Sequence, residues 1–165
     1  MTATNDLAAR VARLEEQMAR LATDPARPRT ELGEEFAFLT ALEESVPPPG
    51  GVMMVGSVTT AAGPVRWQVG QRFDMLQEWD WPRLAPALSA LAHPIRLTIL
   101  KLVLDGTETT ANLLADPALA SAGKLHHHLR QLVAAGWLDG AIRGRYTIPP
   151  ERVVPLLVIL VAAHR

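Results

Sequence analysis

Glycine and proline cut the C-terminal half of this chain so tightly that few arrangements remain open to it. Asp105-Gly106, Asp116-Pro117 and Gly136 act as stops. Proline cannot donate a helix hydrogen bond, and glycine readily takes the left-handed backbone that ends a helix. The pieces between the stops are helical in pattern. Pro82 opens one piece, which runs through Leu91. Pro94 opens the next, at a first-turn position where its missing N–H costs nothing. Ile95, Ile99, Leu102 and Val103 form the core stripe of that helix. Thr109 or Thr110 can cap a short helix through Ala115, and Ser121 can cap another to about Ala135.

Within the helix from Ser121, Leu125, Leu129, Leu132 and Val133 stand at i, i+4, i+7 and i+8 and form one inward stripe. Ala122, Gly123, Lys124, His126, His127 and Arg130 fall outside it. Such a face is small near its N-terminus, basic and rich in imidazole. Small residues let a helix enter a DNA major groove closely, and Lys124 and His127 can donate to acceptors such as guanine N7 and O6. Ser121 and the helix N-terminus can bind phosphate through hydroxyl and backbone donors. Trp137-Leu138-Asp139 and Arg145-Tyr146-Thr147-Ile148 then pair as a small two-stranded ribbon. Arg143 and Arg145 lie at its tip, placed for the DNA backbone or the minor groove.

Three segments together resemble the arsenic-repressor-like (ArsR-like) family of bacterial winged helix-turn-helix regulators. They are ALAHPIRLTILKLVLDG (90–106), SAGKLHHHLRQLVAAGWL (121–138) and IRGRYTIPP (142–150). The resemblance covers the chain from Trp81 to its C-terminus. It implies a homodimer that binds operator DNA, often as a repressor, and pairs through terminal helices. Ser121, Lys124, His126 and His127 match recognition-helix positions, and Arg143 and Arg145 match the wing. The well-known members sense metals through cysteines on the preceding helix or His/Asp/Glu on the terminal one. Here the preceding helix reads TTANLLAD (109–116), the chain has no cysteine, and the terminal helix offers only Glu151 and His164. His126, His127 and His128 are consecutive, so they point about 100° apart and cannot all ligate one ion. No metal and no other cofactor is expected. His128 borders the apolar stripe and reads as a packed histidine, and His93 as a residue shaping the turn before Pro94.

Charge follows the same division. The whole chain carries −1, but residues 81–165 hold nine basic and five acidic side chains, a local +4, against −4 over residues 1–50. The basic excess lies where phosphate attraction would need it. The longest apolar run, Val153–Ala163, is too short for a bilayer core that takes roughly 20 residues. The N-terminus shows no apolar signal-peptide region. The expectation is a cytoplasmic protein with no membrane partner.

The first half is less explicit. Leu7, Val11, Leu14, Met18 and Leu21 make an a/d seam, which suits either a coiled-coil dimerisation helix or an amphipathic helix folded back on its own domain. A proline-bearing linker follows. A helix from Glu31 to about Glu44 would turn Leu32, Phe36, Leu39 and Leu42 inward. Val52–Thr60 and Val65–Phe73 alternate as two strands of a hairpin turned at Ala61–Pro64. Trp67, Trp79 and Trp81 are candidates to line a small-molecule pocket, and core packing explains them equally well. The carboxylate pairs Glu34-Glu35 and Glu43-Glu44 have no histidine or serine motif beside them, so no enzyme is expected.

The expected architecture is mainly α with small β: a coiled-coil helix (1–23), a helix plus β-hairpin region for dimerisation or sensing (24–80), and a winged helix-turn-helix with a C-terminal dimerisation helix (81–165). Leu156, Leu157 and Leu160 join the N-terminal seam as expected dimer contacts. The expected function is sequence-specific, homodimeric regulation on double-stranded DNA at a pseudo-palindromic operator. Switching would come from an organic effector or a protein partner. The alternative is a protein-interaction module on a winged-helix scaffold with weak or no DNA binding.

Overall fold

The computed structural model describes residues 36–119, 121–140 and 144–164. The chain divides into two compact units, Met1–Ser45 and Val46–Arg165. In the first, α1 (Ala37–Ser45) has no buried residue. Phe36 and Leu39, expected to face inward, are exposed, and Leu42 is half-buried. The a/d seam of residues 7–21, with Leu32, lies outside the described residues.

The second unit is mainly helical with one antiparallel hairpin. Strands β1 (Gly51–Thr60) and β2 (Gly63–Arg72) pair with Met54 opposite Val69, Gly56 opposite Trp67 and Val58 opposite Val65. Gly63, at φ +119°, takes the left-handed turn position that the Ala61–Pro64 sequence calls for. The second strand stops one residue before Phe73, which starts the short helix α2 (Phe73–Glu78). Asp74 explains the switch: its Oδ1 accepts the Met75 N–H at 2.9 Å, and its carboxylate pairs with Arg72 at 2.6 Å. A 3-10 turn at Trp81–Leu84 leads into α3 (Ala85–Leu91), where one continuous helix from Pro82 was expected.

Helix α4 (Pro94–Leu104) begins on a histidine cap: His93 Nδ1 accepts the Ile95 N–H at 3.1 Å. Gly106, at φ +96°, closes it. Thr109 caps α5 (Thr110–Leu113) through a bond from the Asn112 N–H. A 3-10 turn at Pro117–Leu119 precedes α6 (Ala122–Ala134), and α7 (Pro150–Ala163) ends the described chain.

One core joins these helices. Leu91, Ile99, Leu100, Leu113, Leu125, Leu129, Leu132, Trp137, Leu138 and Leu156 are its large members. Val133, expected in the stripe, is 37% exposed. At eight residues past Leu125 it has rotated about 80° off the stripe, and it packs under the backbone at Gly140 instead. Trp137 is fully inside, its indole N–H donating to the Ala87 carbonyl at 2.8 Å and its ring faced by the Arg152 guanidinium. Helix α7 is packed on two sides. Leu156 enters the core, while Val154 presses on the hairpin so closely that a Cβ at Gly56 would lie 2.6 Å from its Cγ1. Among the described residues no single helix is long and apolar enough to cross a membrane.

Candidate nucleic-acid interface

The interface is built outward from the stripe of α6. Leu125, Leu129 and Leu132 are at most 1% exposed, which fixes the rotation of the helix about its axis. Everything expected on the opposite face is then surface: Ser121, Ala122, Gly123, Lys124, His126, His127 and Arg130 are all exposed. Ser121 stands at the N-cap position with extended backbone, but its hydroxyl makes no capping bond. A Cβ at Gly123 would meet nothing within 4 Å, so this turn is open to whatever approaches it.

A second tie holds α6 against the helices before it. Arg96 donates through Nε and Nη2 to the carbonyls of Ala90 and Ser89, at the end of α3, and through Nη1 to Gln131 Oε1 on α6. With its oxygen held, the Gln131 amide turns its Nε2 to His127 Nε2 at 3.1 Å. His127 therefore accepts there, and the proton of its neutral ring is on Nδ1. Arg96 and Gln131 position the exposed face without belonging to it. Their thirty-five-residue separation in sequence leaves no periodic trace by which pattern reading could pair them.

Charge on this face is uncompensated. Arg72, Arg83, Lys101 and Arg145 each pair with a carboxylate. Among the described residues, neither Lys124 nor Arg130 does. Arg145, expected to reach a phosphate, instead pairs with Glu108 at 3.0 Å, both groups being partly solvated. Arg143 lies outside the described residues.

Beside α6, where a two-stranded ribbon of 137–139 with 145–148 was expected, the described backbone makes two isolated bridges, Asp139 with Thr147 and Thr109 with Arg145. Asp139 and Thr147 exchange two hydrogen bonds, Tyr146 N–H donates to Glu108, and both the N–H and the hydroxyl of Thr110 donate to Gly144. The segment after α6 is thereby clamped to the start of α5. His128 lies half-buried at the edge of the stripe, its ring 4.5 Å from that of His93. Burial first, then the neighbouring His93, Arg96, His127 and Lys124, push its pKa below the ordinary histidine value. No three His, Asp or Glu side chains among the described residues gather as a metal site.

Two sets of expected residues are placed differently. Leu156 is 2% exposed and belongs to the protomer's own core, so it cannot also be a dimer contact. Leu157 is half-buried and lines a cleft against Val58–Ala61 of the hairpin. Leu160, with Val158 and Val161, is left outward. Trp67, Trp79 and Trp81 are 37%, 47% and 60% exposed. Trp81 donates its indole N–H to the Leu76 carbonyl. These are surface side chains rather than the lining of an enclosed chamber. No protein-family model, curated protein or solved structure matches this chain.

Proposed function

We propose that residues 81–165 are a winged helix-turn-helix that binds double-stranded DNA, with α6 as the recognition helix, in a homodimeric regulator of the arsenic-repressor-like kind. The observation that carries this reading is the face of α6: seven polar, small or basic residues all at the surface, no acid among them, and two cations with no carboxylate partner among the described residues. An exposed, uncompensated cationic helix face is what a phosphate-lined groove attracts. Ala122 and Gly123 let the backbone approach, and Lys124 and His127 supply donors to base edges. The segment bridged between Asp139 and Thr147 would play the wing.

Two copies would set their recognition helices in successive major grooves, about 34 Å apart. Repression follows from the family resemblance, and an organic effector or a protein partner would supply the switch. Selection from a random DNA pool with the purified full-length protein tests the reading. A pseudo-palindromic motif with half-sites about one helical turn apart is expected. Failure to enrich any sequence would reject it.

One observation favours a second reading, a protein-interaction module. Phe73, Met75, Trp79, Trp81, Leu84 and Leu88 are all between 43% and 60% exposed within one stretch of sequence. Exposed apolar surface on that scale marks contact with another protein more often than with DNA. An empty selection with retained self-association or partner capture would support it.

A further inference from the structure

A cleft of about 670 Å³ opens where the first turn of α4, the 117–119 turn and the first turn of α6 meet. His93, Ser121, Lys124 and His128 line it on the polar side, and Ile95 and Pro117 on the apolar side. We propose that this cleft is a phosphate-binding site, taking a phosphate mono- or diester. It rests in part on the DNA reading, since Ser121 and Lys124 belong to both.

The polar groups lining the cleft are hydrogen-bond donors and one cation. Lys124 brings a full positive charge. His93 accepts the Ile95 N–H on Nδ1, so its neutral ring carries its proton on Nε2 and is a donor there. His128 lines the cleft, and its Nδ1 is buried with no hydrogen-bond partner among the described residues. The Ser121 hydroxyl is released from capping, and the N-terminus of the thirteen-residue α6 adds the positive end of its dipole. Burial, and then His93, Arg96, His127 and Lys124, disfavour charge on His128. Among the described residues no acidic side chain lines the cleft. Asp116, which heads the 117–119 turn, accepts the Ala118 N–H on Oδ1 and faces that turn.

Two imidazoles in ring contact, an ammonium and a hydroxyl on one side of the cleft, with no acidic side chain lining it among the described residues, favour an anion there. A phosphate oxygen can accept from several of these donors at once, and protonated imidazoles bind it better than neutral ones. Anion binding favours the charged form of His128, so affinity rises as pH falls toward its lowered pKa, below the ordinary histidine value. The phosphate can come from the DNA backbone beside the recognition helix or from a soluble phosphate ester.

Imidazole-resolved NMR of the full-length protein tests this, with inorganic phosphate, then phenyl phosphate, then a duplex as probes. Saturable shifts confined to His93 and His128, with the His128 titration moved to higher pH, are expected. His128→Gln and Lys124→Ala should each weaken phosphate binding about tenfold, the loss of one charge-assisted contact. His93→Asn keeps a capping acceptor for α4, so a similar loss there reports the imidazole rather than unfolding. Shifts with duplex alone assign the site to the DNA backbone. Shifts with the small anions but no DNA binding assign it to a soluble ester, and the DNA reading fails while the site stands. DNA binding that leaves both imidazoles unmoved, with no response to either small anion, overturns the site and leaves the DNA reading intact. No response to any probe overturns both.

Discussion

Single residues decide how α6 is presented. Leu129 and Leu132, at 0% exposure, fix its rotation, and Arg96 fixes its distance from α3. His93 was legible as a turn-shaping residue because proline follows it, and its ring does cap α4. The Arg96–Gln131 tie was not legible, since a long-range polar contact has no period. Val133 was misplaced because the i+8 position lies at the margin of a helical stripe, where a neighbour such as Gly140 decides its exposure. His128 supports a pH prediction. Its pKa is lowered in the folded state, so the unfolded chain takes up its proton first and the folded state is favoured above the ordinary histidine pKa. That stability is lost as pH falls through about 6.5 toward the depressed folded value. Thermal melts from about pH 8 to about pH 5 should show a steeper loss of Tm for the wild type than for His128→Gln. Parallel curves would mean that another group governs the acid limb.

Elements pack where size and backbone freedom allow it. Hairpin and terminal helix meet at Gly56, where Val154 occupies the space that any side chain would need. Gly56→Ala should cost about 1–3 kcal/mol, the usual range for overpacking. Val154→Ala in that background should return part of it, giving a clear coupling energy in a denaturation cycle. Additive losses would show that the contact is looser than described. This junction also explains why the hairpin was the least readable element in sequence. Its strands, turn and approximate register follow from alternation and from Gly63, but nothing local says that the helix covering it lies some ninety residues further on. The helices of the C-terminal half were legible because Pro94, Gly106, Thr109 and Gly136 punctuate them. The boundary at Arg72–Asp74 was missed because an exposed ion pair and a local bond from the Met75 N–H to Asp74 start α2, and neither has an apolar period.

For the whole molecule, the core of the Val46–Arg165 unit takes Leu156 for itself, and the hairpin shares Leu157, so α7 has only its outer end for a second protomer. Val161, 75% exposed, with Val158 and Leu160, is the apolar surface left there. Val161→Glu should shift sedimentation toward the protomer mass, because a charge buried without a partner is strongly opposed at an apolar interface. An unchanged dimer would move the interface to the Phe73–Leu88 surface or to the seam at residues 7–21. DNA binding by the unpaired cations of α6 is the central claim, and salt dependence tests it most directly. Affinity for a selected duplex should fall linearly in a log–log plot against salt. Lys124→Ala and Arg130→Ala should each reduce the slope by roughly one phosphate contact, and Lys124→Ala should also cost about 1–3 kcal/mol on its cognate base. A duplex affinity that ignores salt, or slopes unchanged in both variants, would contradict the account.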